Sequence, residues 1–504
     1  MGALTSKPYA FNARPWELQS FESIDLGDSI GSSIRMDARG STILRVLPTL
    51  NEFLNEEWIN DRTRFSYDGL TSQRLASPLS RASKFAAFSK ISWPRLFLEL
   101  KTVLPLFEKP LDVLVGKDAS FESLAAAKHL FCNGNFITED TLSSAPSDFD
   151  LQAGYLFNST HLDFAASDFF LVIGTNLRLE APSINLKIKK ALKDYPSKKL
   201  FTSGVSSDLT YPSFSLGSIE GFWPKFFTGR HKVSRLFYRS SKPFLILGEN
   251  VSVTSSDLLT LVGAKTGFQR LLNANKAWRG LNFLSLSASS NALKDLSLNP
   301  GFFLNHSSFC YILGSDNIRF KNLDSNFVVY QGHTGDWGSS NANIVIPTLH
   351  PYESSRSSYI NVYGKIQSIF RSQFSSAGLA DDFTFFRYLS KFLNLYTSRR
   401  PFLGFILKFV GSFRYTYFYQ RSTDHASWAL SSCSNLLTSY SYLNAKKPYL
   451  FFNYLFRQFK VSLHSFSFFN SFHSYSFYLI DPVTRSSHIM ALTHRRFKSL
   501  TAFR

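Results

Sequence analysis

The sequence predicts an α/β protein: a small β-rich N-terminal module, then doubly wound α/β domains, then an aromatic and basic C-terminal extension. Short apolar runs that end in glycine recur four times, and helix-like stretches follow three of them. The length of 504 residues exceeds one core and suggests roughly two to four domains. The expected segments are 1–80, 81–325, 326–400 and 401–504.

A hairpin signal marks the N-terminal module within residues 12–75. Ser33–Met36 and Ser41–Val46 are strand-like, and they flank Asp37–Gly40 with its turn glycine. The pattern predicts an antiparallel pair of strands.

The glycine-terminated apolar runs predict the strands of a parallel sheet. They are Leu111–Gly116, Phe169–Gly174, Phe244–Gly248 and Cys310–Gly314, and the helix-like stretches are 121–131, 183–195 and 255–272. Near-continuous apolar strands alternating with helices indicate a sheet covered on both faces. Glycine at a carboxyl end permits the close approach that ligand crevices use, so Gly174 and Asn176 are candidate crevice residues.

A glycine-rich polar loop, 331–338, lies between predicted strands at 327–330 and 343–347. Glycines around a histidine and an aspartate predict backbone N–H groups that could hold an anion. Structural turns are the simpler alternative. The candidate crevice residues here are Gly332, His333, Gly335 and Asp336.

The net charge of +19 is concentrated near the C-terminus. Residues 401–504 hold 12 Lys and Arg against Asp424 and Asp481, a local charge of 12 − 2 = +10. Aromatic and basic residues interleave at 451–460, which leaves RNA stacking open beside a docking segment on a larger complex. The docking segment is the favoured interpretation.

Cysteine usage argues against bound metal. Cys132, Cys310 and Cys433 are widely spaced, and no CxxC occurs, so this chain alone offers no iron–sulfur or zinc ligand set. We therefore expect no metal site and no catalytic residue. Neither a secretory signal nor a membrane span is recognisable.

Many short motifs in one order resemble the large iron–sulfur subunit of respiratory complex I, the NADH:ubiquinone oxidoreductase. The resemblance covers roughly residues 2–390. The motifs are Gly2–Phe11, Arg14–Glu17, Asn55–Ile59, Tyr67–Leu70, Gly174–Asn176 and Tyr330–His333. In that family the first motif follows the last cysteine ligand of a four-iron cluster, and the C-terminal part is similar to molybdopterin-dependent oxidoreductases.

The resemblance implies a non-catalytic structural subunit of the peripheral arm, supporting electron transfer from NADH to ubiquinone. The chain would bind no cofactor, and the iron–sulfur clusters would lie in a separate chain docked near residues 2–20. Residues near that partner's cluster would be Ala3, Leu4, Thr5, Ser6, Lys7 and Pro8. Other peripheral-arm subunits are expected partners, and nucleic acid is not.

The resemblance also implies a location on the matrix side of the mitochondrial inner membrane. The 52 Phe residues suggest an AT-rich genome. With no presequence before the matching segment, they favour an organelle-encoded gene whose product starts at Met1.

Two further functions stay open. An active molybdopterin oxidoreductase would need a metal ligand and pterin pockets, but the family's Asn-x-Glu-Gly-Arg reads Asn361-Val-Tyr363-Gly364-Lys365 here. Lysine cannot replace the bidentate arginine fork, which disfavours pterin recognition. The third interpretation is an RNA-binding or mitochondrial ribosomal role through the basic aromatic tail.

Overall fold

A computed structural model gives the fold of the chain. It describes residues 6–103, 111–131, 134–138, 155–204, 208–219, 222, 225–226, 230–248, 278–296, 309–316, 327–354, 356–370, 378–393 and 477–502.

Seventeen strands lie in these ranges: β1 (Gln19–Ile24), β2 (Ser33–Arg39), β3 (Thr42–Pro48), β4 (Leu79–Ser80), β5 (Ser89–Lys90), β6 (Asp112–Val115), β7 (Asn135–Thr138), β8 (Phe169–Ile173), β9 (Lys199–Ser203), β10 (Phe214–Ser215), β11 (Pro243–Gly248), β12 (Leu281–Leu284), β13 (Phe309–Leu313), β14 (Phe327–Gly332), β15 (Ile344–Pro347), β16 (Arg356–Ile360) and β17 (Ile366–Phe370). The α-helices in the same ranges are α1 (Asp61–Phe65), α2 (Trp93–Val103), α3 (Phe121–Leu130), α4 (His161–Ala166), α5 (Leu177–Glu180), α6 (Pro182–Asp194), α7 (Lys232–Arg239), α8 (Ala288–Asp295), α9 (Trp337–Asn341), α10 (Asp382–Phe392), α11 (Pro482–Ser486) and α12 (His488–Ala502).

These elements form two compact units. The first contains the described residues up to 138, those from 286 to 393 and those from 477 to 502; the second contains the described residues from 155 to 285. The units interleave along the chain, whereas the four expected segments are contiguous. That four-segment division stays a prediction.

The N-terminal module is an antiparallel sheet in the order β1-β2-β3. The predicted hairpin is confirmed, with Gly40 in the left-handed region at φ +62° between β2 and β3. Asp37 lies within β2 rather than in the turn. Its buried carboxylate accepts hydrogen bonds from Ser20 Oγ at 2.7 Å and Arg45 Nε at 2.6 Å.

A seven-stranded sheet, in the order β5-β4-β15-β14-β13-β6-β7, forms the centre of the first unit. The strands from β15 to β7 are parallel, and β4 pairs antiparallel with β15. Alternate residues of β13 enter different clusters: Tyr311 packs with α3 and α10, and Ile312 lies on the opposite face with Trp337. Both faces are covered, so the predicted doubly wound α/β class is confirmed here.

The second unit has its own parallel sheet, in the order β10-β9-β8-β11-β12. Its core is rich in phenylalanine, with Phe169, Phe201, Phe226 and Phe237 in one buried cluster. The predicted strands at 169 and 244 therefore belong to a different sheet from those at 111 and 310.

The last described residues pack onto the N-terminal module. Asp68 accepts hydrogen bonds from the Ser487 hydroxyl and from the Ile489 amide, and Arg62 forms an ion pair with Asp481 at 3.5 Å. Part of the segment expected to be a separate extension, 401–504, thus completes the first unit.

Two sequence predictions lie outside the described residues: the helix at 255–272 and the basic aromatic stretch at 451–460. Within the described part of the chain, no helix has the length and apolar character needed to cross a bilayer.

Candidate functional site

Glycines bring the carboxyl ends of the central parallel strands close together. A Cβ at Gly116, after β6, would lie 2.3 Å from the carbonyl oxygen of Gly314, and Gly314 itself has φ +65°. The chain can therefore leave β6 and β13 side by side only with glycine at these two positions. This edge is where ligand crevices form in parallel sheets.

The predicted glycine-rich loop starts at this edge, but its amides are engaged within the chain. Gly335 N–H donates to Gln73 O at 2.7 Å, and Gly338 N–H donates to Asp316 Oδ1 at 2.8 Å. Gly332 closes β14, and its carbonyl accepts from Thr348 N–H at 2.9 Å. The amide hydrogens of Gly335 and Gly338 thus have acceptors within the chain, and an anion role for the loop stays a prediction.

Asp336 forms an ion pair with Arg485 Nε at 2.6 Å. The sequence places these residues 149 positions apart, so it gave no sign of the pairing. Asp336 thus ties the loop to α11, and a crevice role for this residue stays a prediction.

His333 follows β14 and is buried against His350, which follows β15. Their ring centroids lie 4.5 Å apart with perpendicular planes. Burial, together with the Arg74 guanidinium, lowers the pKa of His333 to about 3. Burial, then His333 and Arg74, holds the pKa of His350 well below its usual range. Both imidazoles are therefore neutral at physiological pH.

Arg74 is itself paired, because its guanidinium donates to Glu353 Oε2. Glu353 also accepts from His350 N–H at 3.1 Å, which fixes the turn that carries His350. Sequence reasoning selected His333 but missed His350, Arg74 and Glu353. Only the position of His350 and Glu353 after β15, the neighbour of β14, would have indicated those two; Arg74 lies before β4.

A cavity of about 50 Å³, lined mostly by apolar side chains, adjoins His350. Its polar walls are Asp25, Arg62, Thr63, Asp118, His350 and Asp481. Burial, and then the neighbouring Asp28 carboxylate, raises the pKa of Asp25 to about 7. The cavity lining therefore includes an imidazole, a hydroxyl group and several carboxyl groups.

The remaining predicted crevice residues, Gly174 and Asn176, belong to the second unit. Gly174 has φ +70° after β8, and Asn176 caps α5 by accepting a hydrogen bond from Arg178 N–H at 3.2 Å. A Cβ at Gly248 would lie 2.6 Å from Gly174 O. The close approach seen in the first sheet recurs here, and a ligand role for the two residues stays a prediction.

The predicted docking residues begin at the edge of the described chain. Ala3, Leu4 and Thr5 lie outside it, whereas Ser6 and Lys7 are exposed at the start of a turn in which Ser6 O accepts from Ala10 N–H at 2.9 Å. Pro8 is half-buried in the same turn.

Among the described residues, the donor set does not fit a molybdenum or iron–sulfur group. Cys310 is the one cysteine among the described residues, and it lies buried in β13. Burial, with the Asp112 carboxylate, raises the pKa of the Cys310 thiol above its usual range, so it is not a ready thiolate. The loop at 361–365, which departs from the family pattern, is engaged within the chain. The Lys365 ammonium lies over the ring of Phe53, and Asn361 Oδ1 accepts a hydrogen bond from the Lys365 backbone N–H at 2.8 Å.

The chain belongs to the molybdopterin oxidoreductase class, because it matches the family described as "Molybdopterin oxidoreductase" over residues 74–392. Residues 18–68 match a second family, "NADH-ubiquinone oxidoreductase NDSU1/NuoG-like, 4Fe-4S domain".

Curated relatives narrow the class further. The "NADH-ubiquinone oxidoreductase 75 kDa subunit" of Reclinomonas americana is 34% identical over 78% of this chain and 60% of its own length. The protein of the same name from Acanthamoeba castellanii is 31% identical over 99% of this chain and 70% of its own length. The chain belongs to the family of the NADH–ubiquinone oxidoreductase 75 kDa subunit, which confirms the resemblance.

Two expectations change with these findings. The Acanthamoeba castellanii relative aligns with 99% of the chain, so the similarity extends beyond residues 2–390, the range expected from the motifs. A 4Fe–4S domain lies in this chain itself, so iron–sulfur features are not confined to a partner. The matched residues 18–68 nevertheless contain no cysteine. The chain spans 53–60% of the length of the first relatives it matches.

Proposed function

We propose that the chain is a non-catalytic structural part of the peripheral arm of NADH:ubiquinone oxidoreductase, supporting the iron–sulfur chain that carries electrons from NADH to ubiquinone. The observation that carries the proposal is the match of residues 18–68 to a 4Fe–4S domain in a stretch that contains no cysteine. Iron–sulfur clusters are held by cysteine thiolates. The domain therefore serves as support for clusters whose ligands lie elsewhere.

The N-terminal module offers a docking surface for that cluster-bearing partner. Phe11 and Trp16 have exposed fractions of 103% and 79%, and Trp58 is also exposed on the module. Phe11 has φ +63°, which places a phenylalanine in the left-handed region. Large exposed aromatic side chains are typical anchors of protein interfaces. A partner chain that bears iron–sulfur clusters is the occupant we propose, docked beside Ser6–Pro8.

The other peripheral-arm subunits are the further partners in this proposal, and the matrix side of the mitochondrial inner membrane is the location. Two relatives carry the word "mitochondrial" in their names, which supports the compartment. Encoding in the organelle rests on the phenylalanine-rich composition.

Native-gel separation of respiratory complexes, followed by mass spectrometry, tests the proposal. We expect peptides of this chain in the band with NADH dehydrogenase activity, together with subunits that bear iron–sulfur clusters. Recovery of the chain only in other bands would refute the assignment. Near-stoichiometric molybdenum or tungsten in the purified chain would favour the molybdopterin enzyme instead.

A tagged chain tests the docking surface. Trp16→Ala combined with Trp58→Ala should lower recovery of cluster-bearing subunits about 10-fold or more, since interface tryptophans contribute strongly to binding. Leu162→Ala, at an exposed leucine of the second unit, is the matched control. Unchanged recovery in the double variant would exclude this surface.

A further inference from the structure

Three side chains with metal-ligating atoms converge at the carboxyl edge of the seven-stranded sheet. Asp118 follows β6, His333 follows β14 and His350 follows β15. Their ligating atoms all lie within 4.8 Å of one another. The set is two imidazoles and a carboxylate, contributed by three separate strand ends.

One ring nitrogen of His333 has no hydrogen-bond partner among the described residues. It is Nε2, which is buried, and the residue as a whole is 6% exposed. A buried polar atom without a partner is costly and calls for a ligand. The ring of His350 lies perpendicular to the His333 ring, with the centroids 4.5 Å apart, so a second imidazole lies beside this nitrogen-bearing ring.

His350 makes one long hydrogen bond through its ring. Its Nδ1 accepts from Tyr352 N–H at 3.2 Å. Metal coordination through either ring nitrogen would give up this bond, because coordination at Nε2 moves the ring proton to Nδ1. One long hydrogen bond is a small loss against a metal–nitrogen bond.

The charges near the three side chains permit a cation. Arg74 is a nearby positive group, and Glu353 neutralises it through a direct ion pair. Arg62, which lines the adjoining cavity, pairs with Asp481 at 3.5 Å. Asp118 supplies a carboxylate, and His350 already presents an unprotonated ring nitrogen as a hydrogen-bond acceptor.

The adjoining cavity can complete the coordination. Asp118 and His350 line it, and its volume of about 50 Å³ exceeds the roughly 10–15 Å³ that one water needs. Two imidazoles, one carboxylate and one water make the four-coordinate set that zinc prefers.

We propose that Asp118, His333 and His350 bind one Zn²⁺ ion in the first unit, with a water from the cavity as fourth ligand. The ion joins the ends of β6, β14 and β15 and so acts as a structural clip. The site uses none of the three cysteines, is distinct from the iron–sulfur and molybdenum chemistry of the family, and does not depend on the proposed function.

Metal titration of the full-length chain, stripped with a chelator, tests this site. Wild type should bind one Zn²⁺ per chain, measured by mass spectrometry of the metal, and Co²⁺ in its place should give the intense visible bands of a tetrahedral complex. His333→Ala and His350→Ala should each lower Zn²⁺ affinity about 100-fold or more, beyond the 10–100-fold that second-shell changes cost. Zn²⁺ should raise the melting temperature of wild type and not of these variants.

Two more variants keep the outcome decisive. His488→Ala removes an exposed histidine and should bind as wild type does. Asp118→Asn preserves shape while weakening Zn²⁺ binding, so it covers the case in which a histidine variant fails to fold. Unchanged affinity in folded Asp118→Asn and His350→Ala chains, or far less than one ion bound to wild type, would overturn the proposal.

Discussion

The Asp25 carboxyl is buried beside Asp28 in the N-terminal module. It accepts hydrogen bonds from Gly27 N–H at 2.7 Å and from the Thr63 hydroxyl, and Asp28 accepts from Gly31 N–H at 2.9 Å. These bonds organise the turn between β1 and β2. They do not fully offset burial, because the pKa of Asp25 still rises from 3.8 to about 7.

This raised pKa makes the stability of the module fall as pH rises. Below pH 4, Asp25 is protonated in both folded and unfolded chains; between about 4 and 7 the unfolded chain ionises first and is favoured. Asp25→Asn should therefore stabilise the folded chain at pH 8 and raise its melting temperature. The gain in the free energy of unfolding should be a few kcal/mol at most, on a scale of about 1.4 kcal/mol per pKa unit, and the melting temperature at pH 4 should change little. Asp61→Asn, at an exposed carboxyl, is the control. An equal effect at both pH values would contradict the argument.

At the scale of elements, the sequence predicted what depends on local burial. The apolar runs at 111, 169, 244 and 310 became β6, β8, β11 and β13 because parallel strands are covered on both faces. Their division between two sheets was not predictable, since strand pairing is decided by contacts distant in sequence. His350 and Asp118 escaped notice for the same reason. His333 was selected only because glycines surround it.

The chain should not tolerate a side chain at Gly116, directly after β6. Gly116→Ala places a Cβ against Gly314 O and should cost about 1–3 kcal/mol, or more if the backbone cannot shift. Gly335→Ala is the matched control, because its Cβ would meet nothing closer than Leu75 Cδ2 at 3.4 Å. Chemical denaturation measures both, and equal stability of the two variants would refute the close-approach argument.

The start of α12 depends on a distant carboxylate. The Asp68 carboxylate accepts hydrogen bonds from Ile489 N–H at 3.1 Å and from the Ser487 hydroxyl. That hydroxyl in turn accepts a hydrogen bond from Met490 N–H at 3.0 Å. Asp68→Ala should cost about 1–2 kcal/mol, as loss of a helix cap does. Faster proteolysis within 488–502 should accompany it. Glu57→Ala, at an exposed site of the same module, should have no such effect.

For the whole molecule, the first unit is assembled from three stretches of chain. Val483 lies in the buried cluster of the N-terminal module, and Asp481 pairs with Arg62, both side chains being about nine-tenths buried. The sequence suggested a boundary at 401 because composition changes there. Composition reports nothing about where a segment packs, so the return of 477–502 to the module was not predictable.

Removal of residues 477–504 should therefore loosen the N-terminal module. It removes Val483 from the buried cluster and takes Phe477 and Asp481 away from Arg62, so apolar surface and the guanidinium both become exposed to water. Hydrogen–deuterium exchange should rise at residues 61–70. The second unit, which has its own core, is the internal reference at residues 169–173 and 243–248. Unchanged exchange at 61–70 would contradict the assembly described.

The bond between Asp68 and Ser487 spans 419 residues, and this has a consequence for synthesis on the ribosome. The N-terminal module emerges early, but its buried contacts are complete only when residues near 489 have been made. The described residues of the second unit lie between 155 and 285 and have their own core, so this stretch can fold before residues near 489 are made, because domains fold as units in order of synthesis. The first unit cannot complete its core until the C-terminal residues have been made, and its apolar surface stays exposed until then. Contacts of long sequence separation also form slowly. Chaperone holding of the nascent N-terminal module follows from this topology.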